Sequence, residues 1–344
     1  MRFLVTGGAG FIGSAFVRML LGASGTAQAA NLTRVVNLDK LTYAGNLENL
    51  APVAGDTRYE FVHGDVCDAA LVNELVSVTH PDVIVHFAAE SHVDRSILSP
   101  APVFETNLRG TFTLLEAARI HKTPRFLHVS TDEVYGSIES PHDADENFPL
   151  RPSSPYSASK AGSDLLALSY FTTYKMPVTV TRASNNYGPY QFPEKLIPLM
   201  ISNALEGKPL PIYGDGMQVR DWLYVDDHCR AILAAVEKGR AGAIYNIGGS
   251  RSLPNVEVVK AILDSVGQPH SLMQTVQDRP GHDRRYALTS KKLMQETGWV
   301  PQMPFEAGLQ ATIDWYRDNP AWISHVKSGE YQSFYERNYA NRAV

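Results

Sequence analysis

The sequence predicts an α/β protein, with a Rossmann-type, doubly wound parallel sheet followed by a smaller mixed α/β C-terminal lobe. Short apolar runs of strand type alternate with helical patterns up to about residue 182, and a glycine-rich turn follows the first run. Beyond residue 183 the alternation weakens, and prolines and polar turns cluster at 188–189 and 207–216. We therefore expect two units, residues 1–182 and residues 183–344.

Six predicted strands occupy residues 3–5, 34–38, 59–62, 83–87, 125–129 and 178–181. Helical patterns lie between most of them, as expected for parallel strands joined by crossover helices. A helical pattern at 225–237 and a strand-like run at 244–247 could return to the main sheet, so the boundary need not be a single cut. The aromatic stretch 315–339 is expected to pack on the body, because disordered tails are poor in aromatic residues.

Composition narrows the class of protein. The chain has 344 residues, of which 44% are hydrophobic, enough for a sizeable core. A net charge of -5 offers no general basic surface, so we expect no nucleic-acid or membrane partner. Cys67 and Cys229 are too few for a disulfide framework or a zinc site, so we expect no metal. Glycines follow residues 1–6 directly, which argues against a signal peptide and favours a cytoplasmic protein.

The first turn has the spacing of a dinucleotide-binding motif. Gly7, Gly10 and Gly13 are three residues apart, after a strand and at the start of a helical pattern. Such glycines let a pyrophosphate approach the helix N-terminus, whose free N–H groups favour an anion. Asp39 ends the next strand, where a carboxylate accepts hydrogen bonds from ribose hydroxyls and repels a 2′-phosphate. The sequence therefore predicts NAD rather than NADP as the cofactor; the alternative is a glycine turn with a capping aspartate.

Two later strand ends fit the same cofactor. Asp65 and Val66 follow the third strand and could face the adenine. Phe87, Ala88 and Ala89 follow the fourth, where small residues let a ligand pass close to the backbone. Taken alone, both are common strand ends.

Tyr156 and Lys160 are four residues apart in a helical pattern, so the two side chains lie on one face. A tyrosine has a pKa of about 10, so service as a base near pH 7 requires a shift of roughly three units. We expect Lys160 and a positive nicotinamide ring to provide it. Without the dinucleotide motif, a chance pair on a solvated helix would be the better interpretation.

Thr131, Asp132 and Glu133 follow the fifth strand. Thr131 could hydrogen-bond the substrate oxygen that Tyr156 deprotonates. Two adjacent carboxyls repel each other, so one tends to be protonated and the other ionised, which supplies the acid and the base of an elimination. The alternative is an Asp-Glu pair that caps the next element.

With these motifs the chain resembles the extended short-chain dehydrogenase/reductase family over essentially its whole length. The matching segments are 5–14 (VTGGAGFIGS), 41–46 (LTYAGN), 88–96 (AAESHVDRS), 130–136 (STDEVYG), 185–190 (NNYGPY), 193–198 (PEKLIP), 220–222 (RDW) and 278–283 (DRPGHD). The triplet at 131–133 is typical of the nucleotide-sugar 4,6-dehydratases, since related epimerases and decarboxylases usually carry another residue in place of Asp132. The chain departs from the pattern at Ala183, where many relatives have Cys, and in a longer loop at 22–33.

The resemblance implies roles for individual residues. It implies NAD contacts at Phe11, Ile12, Asp39, Lys40, Thr42, Asp65, Val66, Ala89, Ser91, Thr106, Tyr156, Lys160 and Asn186. It implies nucleotide-sugar contacts at Ser91, Thr131, Asn185, Glu194, Lys195, Leu196, Pro211, Tyr213, Arg220, Asn255, Arg279 and His282. Three of these, Lys195, Arg220 and Arg279, would give an acidic protein the local positive charge that a diphosphate needs, and Tyr213 offers a flat surface for a pyrimidine.

The resemblance also implies a reaction: oxidation of dTDP-glucose at C4, loss of water across C5 and C6, and return of the hydride to C6. It implies a homodimer packed through helices at about 103–119 and 156–174. An epimerase or decarboxylase and a catalytically silent NAD-binding regulatory protein remain alternatives, and thymidine is not separated from uridine.

Overall fold

The computed structural model describes residues 1–23, 31–249 and 251–327. Its strands are β1 Arg2–Thr6, β2 Arg34–Asp39, β3 Tyr59–His63, β4 Val83–His86, β5 Phe126–Thr131, β6 Val178–Ala183, β7 Asn185–Tyr187, β8 Leu210–Tyr213, β9 Val219–Tyr224, β10 Ile244–Ile247, β11 Arg251–Pro254 and β12 Met273–Val276.

The α-helices are α1 Phe11–Leu20, α2 Ala69–Thr79, α3 Val93–Leu98, α4 Ala101–Phe104, α5 Thr111–Ile120, α6 Pro155–Tyr174, α7 Leu196–Leu205, α8 Val225–Lys238, α9 Asn255–Val266, α10 Lys291–Thr297, α11 Phe305–Asp318 and α12 Pro320–Val326. A π-helical turn at Glu105–Gly110 joins α4 to α5, and 3-10 turns occupy Leu47–Val53, Asp132–Tyr135 and His270–Leu272.

The main sheet in the described residues has seven parallel strands in the order β10-β6-β5-β4-β1-β2-β3. Chain order reverses beside β1 and β4, and at such a switch the carboxyl ends of the strands form a crevice that binds ligands. The predicted Rossmann-type fold is confirmed. The strand-like run at 244–247 does return to this sheet, where β10 pairs with β6.

Both faces of the sheet are covered, which explains why the strands β4, β5 and β6 are buried along their whole length. One face packs on α1 and α8, with Phe16 and Ile232 at 0% exposure. The other packs on α2, α5 and α6, with Val76 and Leu114 at 0%. Burial on two sides fixes the strand ends, and with them the residues at the carboxyl edge.

Helix α6 begins where the sequence places a strong start signal. Ser154 forms a reciprocal capping box with Ser157, and Pro155 occupies the first helical position. Its first two turns therefore have a fixed direction, and these turns carry Tyr156 and Lys160.

The second lobe has its own core. Strands β11, β9 and β7 form one small sheet, β12 and β8 form another, and α7, α9 and α11 pack around them. Ile201, Val258 and Ile313 are fully buried there. Helix α8 packs on the main sheet and β10 is one of its strands, although both follow residue 183 in the chain. The division into two units at residues 182 and 183 stays a prediction.

Part of the predicted aromatic C-terminal packing can be described. Trp315, Tyr316 and Trp322 lie in or against the core of the second lobe. Tyr331, Phe334, Tyr335 and Tyr339 fall outside the described residues, as do residues 24–30 of the longer first loop.

Both cysteines are free thiols. Within the described ranges no helix is long and apolar enough to cross a bilayer, and no cluster of metal-binding side chains occurs.

Candidate active site

The glycine turn at the start of α1 leaves its backbone open to a ligand. Gly7 has φ +72°, and a Cβ on it would lie 2.6 Å from the backbone nitrogen of Ala88. A Cβ on Gly13 would lie 2.2 Å from the carbonyl oxygen of Gly7. Gly10 caps α1 without a side chain, so the free N–H groups of the first helical turn face the cavity edge. This geometry fits a pyrophosphate.

Asp39 shapes this turn as well as facing the cavity. Its Oδ2 accepts a hydrogen bond from Ala9 N at 2.9 Å, and its Oδ1 accepts one from Leu41 N at 2.8 Å. Burial raises the pKa of Asp39, while these two backbone donors oppose the rise. Each oxygen can accept a further bond, so ribose hydroxyls can still be bound. Lys40 and Asp65 form an ion pair at 2.6 Å beside it.

One cavity of about 420 Å³, a size ordinary for small-molecule sites, runs from this turn into the second lobe. It is lined by all the residues predicted to bind the cofactor: Gly7, Gly10, Phe11, Ile12, Gly13, Asp39, Lys40, Thr42, Asp65, Val66, Phe87, Ala88, Ala89, Ser91, Thr106, Tyr156, Lys160 and Asn186. It is also lined by all those predicted to bind substrate: Ser91, Thr131, Asn185, Glu194, Lys195, Leu196, Pro211, Tyr213, Arg220, Asn255, Arg279 and His282. Their individual roles stay predictions.

Lys160 is held against the sheet. Its Nζ donates to the carbonyl oxygen of Val129 at 2.7 Å, and burial lowers its pKa to about 8, with the charge of Asp164 opposing. Burial also raises the pKa of Tyr156, followed by the charge of Glu133. Burial and the charges of Glu133 and Asp132 therefore raise the pKa of the phenol, while a hydrogen bond with Thr131 opposes the rise. The expected lowering of this pKa by Lys160 and a nicotinamide ring stays a prediction.

The triplet at 131–133 lies where β5 becomes a 3-10 turn. Thr131 Oγ1 donates to Asp132 Oδ1 at 3.2 Å and accepts from Glu133 N at 3.2 Å. Asp132 is 2% exposed, and its Oδ2 has no hydrogen-bond partner in the described part of the chain. A carboxyl oxygen in that state favours the protonated acid.

Asp132 and Glu133 differ in their electrostatic surroundings. The pKa of Asp132 is raised well above its usual range by burial, then by the charges of Glu133 and Asp221. The pKa of Glu133 is raised by burial too, but Arg279 and Lys195 oppose that shift most strongly. Asp132 is therefore the better proton donor and Glu133 the better proton acceptor.

Three cations line the substrate end of the cavity. Lys195 Nζ donates to Ser91 O at 2.6 Å. Arg220 Nη2 donates to Asp283 O at 2.9 Å, and its guanidinium lies 4.2 Å from the ring centre of Tyr286. Backbone carbonyls and the aromatic ring orient Lys195 and Arg220, whereas Arg279 forms an ion pair with Asp94 at 3.3 Å.

Two further residues, Asp94 and Tyr286, lie beside this cavity although no role was predicted for them from the sequence. Asp94, 4% exposed, accepts from Tyr213 Oη at 2.9 Å and from Arg279 Nη1 at 3.3 Å, and so holds two predicted nucleotide contacts together. Tyr286 supports Arg220. Asp94 lies in the segment 88–96 that carries the resemblance, whereas nothing in the sequence around Tyr286 indicates its position.

Among the predicted substrate contacts, Glu194 is already paired within the protein. Its carboxylate lies 3.2 Å from Arg95 Nε, with the side chain 2% exposed. Arg95 in turn stacks over Tyr43, 3.8 Å from its ring centre. Glu194 therefore also has a structural role, because it holds Arg95 and Tyr43 in place beside the cavity.

Comparison with known proteins identifies similar sequences and structures. A sequence model described as GDP-mannose 4,6 dehydratase matches residues 4–312. The dTDP-glucose 4,6-dehydratase of Shigella flexneri is 51% identical, covering 99% of this chain and 100% of that protein. The crystal structure of DesIV, a dTDP-glucose 4,6-dehydratase from Streptomyces venezuelae with NAD and TYD bound, is 54% identical with a TM-score of 0.92, covering 95% and 100%. The UDP-glucose 4-epimerase of Thermus thermophilus with NAD is 34% identical with a TM-score of 0.84, covering 93% and 100%.

Proposed function

The chain belongs to the GDP-mannose 4,6-dehydratase family, and on that premise we propose that it catalyses the NAD-dependent dehydration of dTDP-glucose to dTDP-4-keto-6-deoxyglucose. The single observation that carries this proposal is the pair Asp132 and Glu133, where burial and neighbouring charges separate a proton donor from an acceptor. An epimerase needs the hydride chemistry but neither of these groups.

The first half of the mechanism uses Tyr156, Lys160 and Thr131. When bound, NAD would supply reversible hydride transfer: acceptance of a hydride from sugar C4 at the first step and its donation to C6 at the last. The Tyr156 oxygen takes the proton of the sugar 4-hydroxyl, and Thr131 Oγ1 orients that hydroxyl. Lys160, fixed on the Val129 carbonyl, would hold the nicotinamide ribose and adds positive charge on the helix face that carries the phenol.

The second half is an elimination on the sugar. A ketone at C4 acidifies the C5 proton, which Glu133 removes. Asp132 protonates the 6-hydroxyl as it leaves as water, which gives a 4-keto-5,6-ene. Addition of the hydride at C6 and of the proton held by Glu133 at C5 then gives the 4-keto-6-deoxy sugar, and the proton that Tyr156 took replaces the one that Asp132 gave. Asp132 is buried and Glu133 is half-buried, which limits the access of bulk water to these transfers.

The nucleotide is held by cations of the second lobe. We assign Lys195, Arg220 and Arg279 to the diphosphate and Tyr213 to the face of the base. The named relatives support thymidine, because dTDP-glucose is the substrate in their names.

We also propose a homodimer. The described residues expose large apolar side chains along two neighbouring helices: Phe112 of α5 at 48% and Leu165 of α6 at 59%. Phe104, just before the π-helical turn, is 43% exposed. The π-helical turn before α5 approaches α6 closely, since a Cβ on Gly162 would lie 3.4 Å from Leu108 Cδ1. Exposed apolar area of this kind is typical of a surface that a second copy covers.

The free thiols support a reducing compartment, and we place the protein in the cytoplasm on that ground. Western blotting of cell fractions would test this: the chain is expected with cytoplasmic markers, and recovery with secreted markers would contradict it.

The function is tested by incubating the enzyme with dTDP-glucose and measuring the mass of the product. We expect a product lighter by one water that shows the alkaline chromophore of a 4-keto sugar, with slower turnover of UDP-glucose and GDP-mannose. A product of unchanged mass would identify an epimerase. If dTDP-glucose gives no product, incubation with a nucleotide-linked uronic acid distinguishes a decarboxylase, which releases carbon dioxide, from a silent NAD-binding protein.

A further inference from the structure

Helix α12 reaches the glycine turn through one buried amide. The indole Nε1 of Trp322 donates to Asn49 Oδ1 at 2.9 Å, and Asn49 Nδ2 donates to the carbonyl oxygen of Ala9 at 2.9 Å. Asn49 is 2% exposed and Trp322 is 6% exposed. Ala9 lies within the turn that the site geometry assigns to a pyrophosphate. A residue near the end of the second lobe is thus two hydrogen bonds away from the cofactor loop.

The indole fixes which way the amide faces. An asparagine side chain has a donor end and an acceptor end, and a tryptophan nitrogen can only donate. Trp322 therefore selects the orientation in which Nδ2 faces Ala9. Without the indole N–H, Asn49 Oδ1 would be buried with no donor from α12. The orientation in which Asn49 Nδ2 donates to Ala9 O would then no longer be favoured. The backbone of Asn49 is held separately, because Arg18 Nη1 donates to its carbonyl oxygen.

The same helices hold a second part of the cavity wall. Trp322 packs against Trp315 with ring centres 5.1 Å apart. Tyr316, also in α11, donates from Oη to the carbonyl oxygen of Gln191, and Gln191 Nε2 donates to Asn186 O at 2.8 Å. Both Gln191 and Asn186 line the cavity. Helices α11 and α12 are therefore connected to the cofactor site by two separate sets of hydrogen bonds, one through Asn49 and one through Gln191.

We propose that Trp322 and Asn49 are positioning residues for NAD, which hold the Ala9 carbonyl so that the glycine turn keeps its binding shape and the cofactor stays bound between turnovers. The inference rests on the proposed function, which makes NAD the cofactor.

The test uses the holoenzyme and the variant Trp322→Phe, which keeps the aromatic ring and removes the indole N–H. NAD remaining on the protein is quantified at timed intervals after gel filtration, and its dissociation constant is measured by titration. We expect about tenfold weaker NAD binding, the size of one buried hydrogen bond. The kcat should return to the parental value when NAD is added in excess, and the KM for dTDP-glucose should not change. Trp315→Phe is the matched control, because it alters the same aromatic cluster and leaves the indole-to-amide bond intact.

Asn49→Ala and the double variant Asn49→Ala/Trp322→Phe complete a cycle. If Trp322 acts through the amide, adding Trp322→Phe to Asn49→Ala causes no further loss of NAD. Parental NAD retention by Trp322→Phe, additive losses in the double variant, or a loss of kcat that NAD does not restore would each overturn the inference. A parent protein that binds no NAD would instead overturn the proposed function.

Discussion

The carboxyl of Asp132 lies in surroundings that disfavour its charge and so favour the protonated form, which can donate a proton. Asp132→Asn keeps the size of the side chain and removes that proton. We expect turnover to fall by about 10²–10⁴-fold, with the first oxidation retained, so that the absorbance band of reduced nicotinamide appears and persists after substrate is mixed in. Asp264→Asn, an exposed aspartate on α9, is the control. Parental turnover by Asp132→Asn would show that another group protonates the leaving oxygen.

The same substitution tests the raised pKa directly. In the unfolded chain Asp132 ionises at its ordinary pKa of about 4, whereas in the fold its pKa is raised. The native state therefore binds more protons above pH 4, and this carboxyl costs stability that increases as pH rises. Asn does not titrate, so Asp132→Asn should be more stable than the parent at pH 7, by about 2 °C or more in Tm, and the gain should shrink toward pH 4. A gain independent of pH would contradict the assignment.

Residue-level chemistry was only partly predictable. The identity of Asp132 and Glu133 as a pair follows from the sequence, because adjacency is local. The direction of the Tyr156 pKa does not, because it depends on burial by segments distant in the chain. Asp94 and Tyr286 were missed for the same reason: their partners lie 119 residues away at Tyr213 and 66 away at Arg220.

At the scale of elements, the glycine turn has no room for a side chain at Gly13. Gly13→Ala would place a methyl 2.2 Å from Gly7 O and 2.9 Å from Gly8 Cα, both backbone atoms. We expect the variant to lose about 1–3 kcal/mol of stability and most of its bound NAD, measured by thermal unfolding and by NAD content. Gly55→Ala is the matched control, since a Cβ there meets nothing within 4 Å. Equal behaviour of the two variants would mean that the turn tolerates a side chain.

The helices α5 and α6 make a separate prediction. A charge at Leu165 would be buried in the proposed dimer, so Leu165→Asp should raise the dimer dissociation constant at least tenfold in sedimentation experiments. Val78→Asp places the same charge at an exposed apolar position of α2, where Val78 is 70% exposed, and should leave the dimer intact. A monomeric parent, or a variant as dimeric as the parent, would contradict the proposed interface.

The elements themselves were the most predictable part. Residues 244–247 were expected as a strand and form β10, and the helical pattern predicted around Tyr156 and Lys160 forms part of α6, because apolar periodicity is a local signal. The small sheets of the second lobe were not predicted individually, since strands of three to six residues joined by irregular turns carry little periodicity.

At the scale of the whole molecule, buried histidines link stability to pH. Burial lowers the pKa of His128 and of His282 to about 4 and that of His228 to about 3. Unfolded histidines bind a proton near pH 6.5, so between pH 6.5 and about 4 the unfolded state binds more protons and stability falls with acidification, by up to ~1.4 kcal/mol per pH unit for each histidine. Urea unfolding at several pH values in this range measures the slope.

His128→Gln should lessen that slope, because one titrating group is lost from the unfolded state. Ser265→Ala, at an exposed position of α9 that carries no titratable group, is the control and should leave the slope unchanged. A slope that is the same in the parent and in His128→Gln would show that His128 is already charged in the fold.

The position of β10 at the edge of the main sheet has a consequence for synthesis. The first six strands are complete at residue 183, but β6 pairs with β10 only after residue 247 has been made. At 5–20 residues per second the ribosome needs roughly 3–13 s for this interval. During it the nascent chain presents the edge of β6 unpaired, with its apolar Val178 and Val180, to other nascent chains. We therefore expect the binding of chaperones to the nascent chain at this stage, rather than the stability of the finished enzyme, to limit the yield of soluble protein.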